Sequence, residues 1–186
     1  NMDLISKALT FAVSAHQGQQ RKHNKMPYIV HPLDVFNKLR EAGVNDEHVL
    51  AASLLHDVVE DCGVGEGLIQ KQFGGKVLQY VMECTKTEEN HAGKNRAEKW
   101  AYYLKCLKVY SKEGQLIKLA DRVCNLTEFY NDRELLTEDN VHFLKHVYIK
   151  ESYQLYMSLI DIPEYGSYCT LMLGLRDIMG KISDWK

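Results

Sequence analysis

The stretch "AASLLHDVVEDC", residues Ala51–Cys62, changes half-way along from apolar to partly ionisable residues. Its first half has the composition of a buried helix, and its second half adds four ionisable side chains: His56, Asp57, Glu60 and Asp61. On one continuous helix the histidine and the glutamate lie a turn apart, as do the two aspartates, so all four can border one wall of a cleft. Buried charges are costly unless they are paired or bind a metal, and imidazole with carboxylate suits zinc, manganese or iron(II). The stretch therefore predicts a divalent-metal site; the alternative is a helix end that becomes polar as it reaches the surface.

Apolar residues recur at helical spacing along nearly the whole chain, which predicts an all-α fold. Asn45 or Asp46 can cap the helix that contains the quoted stretch, and Thr137 can cap a long helix further on. The predicted helices cover residues 4–15, 32–42, 45–61, 68–73, 77–84, 96–110, 115–126, 137–159 and 163–182. Strand signals are weak, because no Asn-Gly turn occurs and no segment alternates convincingly with a period of two.

The composition narrows the class of protein. The chain has 186 residues, of which 45% are hydrophobic, enough to bury the core of one domain. A formal net charge of −2 gives no reason to expect binding to nucleic acid or to an anionic membrane, and no apolar run approaches the roughly 20 residues of a transmembrane helix. The five cysteines are odd in number and form no CxxC pair, which predicts buried free thiols in a reducing compartment and hence a cytoplasmic protein.

Two further residues are candidate metal ligands. His31 stands in "PYIVHP", where the alternative role is that of a turn residue. Asp121 stands in "LIKLADRVCNL", amid residues that bury a helix, so its carboxylate needs a partner. Asn125 lies one turn further on and can address the same ligand. The alternative for Asp121 is an ion pair with Arg122 or with another helix.

Six blocks of sequence, in the same order, resemble those of the HD-domain guanosine tetraphosphate (ppGpp) hydrolases. These blocks are "AHQGQQRK", "PYIVHP", "AASLLHDVVED", "FGGKV", "TK" and "IKLADRVCNL", and they lie within about residues 8–126. The family comprises the hydrolase domains of RelA/SpoT-type proteins and the stand-alone small alarmone hydrolases, including the metazoan SpoT homologue. The resemblance implies a single HD-type domain over residues 2–186, a helical bundle with one metal site in a central cleft. The helices in 137–186 would complete the bundle or form the surface of a homodimer.

The resemblance also implies the chemistry. The expected reaction releases pyrophosphate from the 3′ position of ppGpp or pppGpp and leaves GDP or GTP. One divalent metal, usually manganese, is expected at four ligands: His31, His56, Asp57 and Asp121. Glu60 and Asp61 are expected to serve hydrolysis. The substrate is expected to contact four residues: Arg21 and Lys22 beside the nucleotide, Tyr28 in the pocket lining and Asn125 at the ribose.

Three departures from the family pattern leave other functions open. The segment "RKHNKMPYIVH" is one residue longer than the common form, Cys62 replaces a threonine, and Thr127 stands where an arginine is common. The first alternative is a metal-dependent phosphatase of another nucleotide, such as NADPH or a nucleoside monophosphate. The second is a nucleotide-binding module without turnover. Four basic residues could hold phosphates or form a solvated face: Lys86, Lys94, Arg96 and Lys99.

Other histidines and the cysteine of the quoted stretch are expected to have no catalytic role. His142 and His146 are one turn apart, but without a third ligand nearby in the sequence they are expected to be surface or core residues. His16 is expected to pack or to form a hydrogen bond. No histidine pairs evidently with Cys62 in the sequence, so we do not expect Cys62 to be a nucleophile.

Overall fold

The computed structural model describes residues 2–86, 95–160 and 166–185. Within these ranges the structure is helical, with an isolated bridge between Gln20 and Pro27 as its β pairing, so the predicted all-α fold is confirmed. The α-helices are α1 (Leu4–Ala15), α2 (Val30–Glu41), α3 (Glu47–Leu55), α4 (Val58–Cys62), α5 (Glu66–Phe73), α6 (Gly75–Cys84), α7 (Arg96–Leu107), α8 (Lys112–Asn131), α9 (Glu138–Phe143), α10 (Ile149–Leu159) and α11 (Ser167–Ser183). A short 3₁₀ helix spans Arg133–Leu135, and a π-helical segment, Leu144–Tyr148, joins α9 to α10.

Side-chain caps fix where several helices begin. Asp46 accepts hydrogen bonds from the backbone N–H groups of His48 and Val49 at the start of α3. Thr137 forms a capping box with Asn140 at the start of α9, so both predicted caps are present. Each such cap satisfies N–H groups that lack a partner within the helix.

The predicted helix over 45–61 is wrong in one respect, because it is interrupted at His56 and Asp57. The Nδ1 atom of His56 lies 2.7 Å from the carbonyl oxygen of Ser53, which a regular helix would offer to the N–H of Asp57. The imidazole thus competes for the bond that would continue α3, and α4 begins again at Val58. The helix predicted over 137–159 is likewise divided by the π-helical segment. Pro163, the predicted start of the last helix, lies outside the described residues, and α11 begins at Ser167.

Two helices run through the centre of the bundle. Every residue of α3 from Val49 to Leu55 is buried, and α3 packs against α1, α2, α6 and α8. The helix α8 is buried from Gly114 to Cys124 and packs against α2, α6 and α11. A polar side chain at the end of α3 or in the middle of α8 is therefore held by a rigid apolar frame, and the site lies between these two helices.

In the described parts of the chain, none of the helices has both the length and the hydropathy needed to cross a membrane. All five cysteines are free thiols. Cys84 and Cys124 are buried, whereas Cys62 and Cys106 are half-buried and Cys169 is exposed, so the prediction of buried thiols is wrong for the last three.

Candidate metal centre and adjoining cavity

Three of the four predicted metal ligands form one group: His31 from α2, His56 from the turn between α3 and α4, and Asp121 from α8. Asp57, from the same turn as His56, lies outside this group and contacts the two histidines. Ligand atoms of His31, His56 and Asp121 all lie within 4.8 Å of one another. The Oδ2 atom of Asp57 lies 3.2 Å from Nε2 of His56 and 3.7 Å from Nε2 of His31. The Oδ1 atom of Asp121 lies 3.2 Å and 3.9 Å from the same two nitrogens.

The buried nitrogen of His56 shows that this cluster suits a cation. The residue is 3% exposed, and its Nε2 atom has no hydrogen-bond partner although two carboxylates lie near it. Since Nδ1 donates to the Ser53 carbonyl, the neutral tautomer presents the Nε2 lone pair to Asp57 and Asp121. A lone pair facing carboxylates is unfavourable unless a cation lies between them. A backbone carbonyl on the far ring nitrogen is also the usual way to orient a metal-binding histidine.

The charges of the cluster are strongly coupled. Burial alone would lower the pKa of His56, but the neighbouring Asp57 and Asp121 outweigh it and raise that pKa to about 9. Burial would raise the pKa of Asp57, yet the imidazoles of His56 and His31 hold it well below its ordinary value. Without a metal, these carboxylates therefore attract a proton to the histidine, as expected of a site built for positive charge.

Asp121 is held from two further sides. Its Oδ2 atom accepts a hydrogen bond from Nζ of Lys118 at 2.8 Å, and its Oδ1 atom accepts one from Nδ2 of Asn125 at 2.5 Å. Burial would raise the pKa of Asp121, but the Lys118 charge and the two imidazoles hold it well below its ordinary value. Within its own helix the ion-pair partner of Asp121 is thus Lys118 and not Arg122, while the second alternative, contact with another helix, is met by the His31 imidazole at 3.2 Å.

Glu60 and Asp61 lie on α4 beside the cluster, and both line the same cavity. The phenol oxygen of Tyr28 lies 2.8 Å from Oδ2 of Asp61 and 2.8 Å from Oδ2 of Asp57. Burial and the two carboxylates raise the pKa of Tyr28, so the phenol keeps its proton. The backbone N–H of Lys86 donates to Glu60 at 3.2 Å. Both carboxylates are therefore oriented by neighbouring groups.

The cavity has a volume of about 450 Å³, and acidic and basic side chains both line it, with Nζ of Lys86 3.8 Å from Oε1 of Glu60. Of the four predicted phosphate-binding residues, Lys86, Arg96 and Lys99 line it, and Lys94 lies outside the described residues. Glu151 of α10 binds Arg96 through both of its carboxylate oxygens, at 2.7 Å and 2.9 Å. Sequence reasoning missed six lining residues: Cys84, Trp100, Lys118, Arg122, Tyr148 and Glu151.

Comparison with known proteins identifies this architecture. A family described as the HD domain matches residues 8–149. The chain belongs to the HD domain family. This HD domain is 30% identical over 183 residues to a guanosine-3′,5′-bis(diphosphate) 3′-pyrophosphohydrolase of Aquifex aeolicus, an alignment that covers 97% of the chain but 23% of that protein. It is 37% identical over 127 residues to the pyrophosphohydrolase MESH1 of Xenopus tropicalis, covering 67% of the chain and 69% of MESH1.

Solved structures agree with the sequence matches. A metazoan orthologue of SpoT that hydrolyses ppGpp superposes on the HD domain with a TM-score of 0.80 and 26% identity, over 97% of this chain and 96% of the other. A protein of Listeria monocytogenes EGD-e superposes with a TM-score of 0.66 over 84% of the chain; at 21% identity it supports the fold alone. The family resemblance deduced from the six sequence blocks is confirmed.

The four predicted substrate-binding residues lie around a second cavity of about 570 Å³ that adjoins the first: Arg21, Lys22, Tyr28 and Asn125. Tyr28 and Asn125 line both cavities. Arg21 is bound by Glu128, with Nε 2.9 Å from Oε2, and also donates to Oδ1 of Asn125 at 2.8 Å. Its guanidinium is therefore fixed in place, and much of its charge is already neutralised.

The structure bears on three features noted in the sequence: Thr127, the pair His142 and His146, and Cys62. Thr127 lines a groove between α2 and α8 and neither of the two adjoining cavities, so the arginine common at this position is not missing from their walls. His142 and His146 are exposed with ring centroids 4.4 Å apart, and neither belongs to a metal-binding group among the described residues. Cys62 does contact a histidine, because its Sγ atom lies 3.2 Å from Nδ1 of His16, so the absence of a Cys–His pair was wrongly predicted.

Proposed function

We propose that this HD domain hydrolyses the 3′-pyrophosphate of ppGpp or pppGpp to give GDP or GTP and pyrophosphate. The observation that carries the proposal is the grouping of His31, His56 and Asp121, with Asp57 against both histidines, in a cavity that Glu60, Asp61 and several basic side chains also line. The printed activities of the Aquifex and Xenopus relatives support it. The chain spans 23% of the Aquifex protein, so for this chain the activity of that whole protein is a proposal.

We propose that one divalent cation, manganese, is held by the two imidazoles and two carboxylates of the cluster. The orphaned Nε2 of His56 and the carboxylates facing it fit such an ion. A bound divalent ion neutralises phosphate oxygens and lowers the pKa of water from 15.7 toward about 7. Lys118 and Asn125 hold the Asp121 carboxylate in a single orientation towards it.

Glu60 and Asp61 are proposed to order the attacking water and to take its proton. Asp61 accepts a hydrogen bond from the Tyr28 phenol, which keeps the carboxylate turned into the cavity. A positioned general base contributes roughly 10²–10⁴-fold to a hydrolysis rate. The water oxygen bonds to the phosphorus that carries the 3′-oxygen as the P–O3′ bond breaks. One proton of the water passes to a carboxylate oxygen and then to the departing 3′-oxygen, which becomes the 3′-hydroxyl of GDP or GTP.

The basic residues of the cavity are proposed to bind the phosphates. Lys86, Lys99 and Lys118 line the cavity, with Nζ of Lys86 3.8 Å from Glu60 and Nζ of Lys118 2.8 Å from Asp121. Lysine offers a compact positive charge, whereas the paired Arg96 and Arg21 offer rigid planar surfaces. The ribose is proposed to contact Asn125, where the two cavities meet, and the base to enter the second cavity beside Arg21 and Lys22.

A second candidate function keeps the metal centre and changes the nucleotide. The wall of the second cavity includes His23 from the longer loop, with its ring 4.7 Å from that of Phe129. An aromatic wall of this kind stacks on any base, so a phosphatase of NADPH or of a nucleoside monophosphate is the alternative. A nucleotide-binding module without turnover is the third.

The deciding experiment compares substrates and products. The protein is incubated with ppGpp, NADPH and a nucleoside monophosphate, with Mn²⁺ or with chelator, and pyrophosphate and phosphate are measured separately. We expect pyrophosphate from ppGpp, in the presence of Mn²⁺. The variant Glu60→Gln with Asp61→Asn should bind Mn²⁺ normally while its rate falls at least 100-fold, and Glu66→Gln, an exposed glutamate on α5, serves as the control. Equal slow hydrolysis by wild type and variant would show that the protein is not this enzyme.

Three broader expectations remain proposals. Residues 2–186 are proposed to act as a single domain, which is supported by the packing of α11 on α8 and by the presence of Glu151 in the cavity wall. The predicted homodimer is testable by sedimentation, and exposed apolar side chains on α10 and α11, including Tyr153 and Leu173, are available for it. The predicted cytoplasmic location is supported by the five free thiols.

A further inference from the structure

A polar cluster that the proposed chemistry does not use lies directly behind the catalytic side chains. It consists of His16 at the end of α1, Gln19 in the following turn and Cys62 at the end of α4. His16 is 3% exposed, so its ring nitrogens need partners within the protein. All three residues contact one another, which makes the cluster a connection between α1 and the segment that carries Glu60 and Asp61.

The hydrogen bonds of Gln19 determine which nitrogen of the His16 ring carries the proton. The Nε2 amide group of Gln19 donates to the backbone carbonyl of Asp61 at 3.1 Å, so Oε1 faces His16. The distance from Oε1 to Nδ1 of His16 is 2.8 Å, and since a carbonyl oxygen only accepts, Nδ1 must carry the proton. The sulfur of Cys62 lies beside the same nitrogen at 3.2 Å, and burial together with the Asp61 charge raises the pKa of its thiol.

The face of the His16 ring packs against the ring of Tyr28. The two rings are stacked, with centroids 4.6 Å apart and planes inclined by 21°. Tyr28 in turn places its phenol oxygen 2.8 Å from the carboxylates of Asp57 and Asp61. One imidazole thus reaches Asp61 by two routes, through the Tyr28 hydroxyl and through the amide of Gln19 to the Asp61 backbone.

We propose that His16 and Gln19 are positioning residues for hydrolysis, which hold Tyr28 and Asp61 in their working orientation. Gln19 also lines the second cavity, so the kinetic test below separates positioning from contact with substrate. The proposal rests on the proposed function of Asp61. Gly18 makes the arrangement accessible, because its φ of 80° lets the chain turn so that the Gln19 N–H bonds the His16 carbonyl at 3.0 Å. The sequence block "AHQGQ" is therefore a structural unit, in which His16 stacks on Tyr28, Gly18 allows the turn and Gln19 bridges His16 and Asp61.

The first test is spectroscopic and independent of activity. In protein labelled with ¹⁵N-histidine, the Nδ1–H proton of His16 should appear as a slowly exchanging downfield signal. Gln19→Met should abolish this signal, and Gln17→Met, which changes an exposed glutamine of the same turn, should leave it intact. A wild-type protein without the signal, or a signal that survives in Gln19→Met, would overturn the assigned hydrogen bond and with it the proposal.

The second test is kinetic. Loss of the hydrogen bond from Gln19 to the Asp61 carbonyl predicts a fall in kcat of about 3- to 10-fold for Gln19→Met, with KM changed less than twofold. Gln17→Met should match wild type, and metal content and melting temperature should be measured for every variant. If KM rises while kcat is unchanged, Gln19 contacts substrate and the proposal is wrong.

A double-mutant cycle separates positioning from simple packing. His16→Leu removes both the stacking and the N–H donor, and Tyr28→Phe removes the hydroxyl that His16 is proposed to place. The effect of His16→Leu on kcat should shrink to less than half in the Tyr28→Phe background. Effects that simply multiply would refute the Tyr28 route. If wild type does not hydrolyse ppGpp, the proposed function is wrong. The positioning role is then still decided by the spectroscopic test and by the same variant-to-wild-type kcat ratios, measured with another nucleotide that the protein hydrolyses.

Discussion

Replacing Lys118 by methionine tests how the negative charge of the buried Asp121 carboxylate is balanced. Lys118 and Asp121 are 6% and 7% exposed, and their charged atoms lie 2.8 Å apart. The substitution keeps most of the aliphatic length of the side chain and leaves a buried carboxylate without its cation. Removing one partner of a buried ion pair costs about 3–5 kcal/mol, which for a chain of this length lowers Tm by about 6–20 °C.

That cost should depend on metal if Asp121 is a ligand. In chelator, Asp121 in Lys118→Met keeps only Asn125 and the imidazoles as partners, so the full loss is expected. With saturating Mn²⁺, the bound ion supplies the missing positive charge, so the loss should fall to less than half. Mn²⁺ should therefore raise the Tm of Lys118→Met by more than it raises the Tm of wild type, as measured by calorimetry at several metal concentrations.

An exposed pair of the same spacing provides the control. Lys38 and Glu41 also stand three residues apart at 2.7 Å, but their side chains are 36% and 65% exposed. Lys38→Met should cost less than about 1 kcal/mol, with or without Mn²⁺. If Lys118→Met loses the same stability in chelator and in Mn²⁺, Asp121 does not bind the ion and the metal centre is wrongly assigned.

Three further predictions concern the frame of the site. Gly114→Ala should destabilise the protein by about 1–3 kcal/mol in urea titrations, because a β-carbon there would collide with the Glu83 side chain, whereas Gly180→Ala, with open space around it, should be neutral or stabilising. His56→Ala should weaken Mn²⁺ binding at least 100-fold by titration calorimetry while the helical circular dichroism is retained; an unchanged affinity would remove His56 from the ligand set. Leu55→Ala, which truncates a fully buried side chain next to the site, should cost about 2–5 kcal/mol.

Local signals were sufficient to predict most helices and their starts. Asp46 and Thr137 cap the helices that the sequence indicates, because a cap depends on residues within one turn. The interruption at His56 was not predictable, since it depends on a side chain taking the Ser53 carbonyl instead of pointing elsewhere. The π-helical segment Leu144–Tyr148 likewise has no local signal that sequence reasoning used.

The candidate site was predictable to the extent that its residues lie in sequence blocks. His31, His56, Asp57 and Asp121 were identified from their blocks and come together in space. Lys118 stands in the same block as Asp121, three residues before it, and that i,i+3 spacing was a signal that could have been used.

Contacts between residues far apart in the sequence could not be predicted from the sequence. Tyr148 and Glu151 reach the cavity only because α10 packs near α7, and no motif marks them. The pairing of His16 with Cys62 joins the ends of two helices 46 residues apart, and nothing local in either segment indicates it.

The widened turn at Leu144–Tyr148 makes one wall of the cavity tolerant of a change in chain length. A π turn holds one more residue than an α turn, so the extra residue is accommodated within that turn and the helix faces before and after it keep their alignment. Deleting one residue there should therefore restore a regular helix while Glu151 stays against Arg96 and His31, His56 and Asp121 stay in place. A single-residue change in length would alter the cavity wall only locally, at the residues of the turn itself, Tyr148 among them.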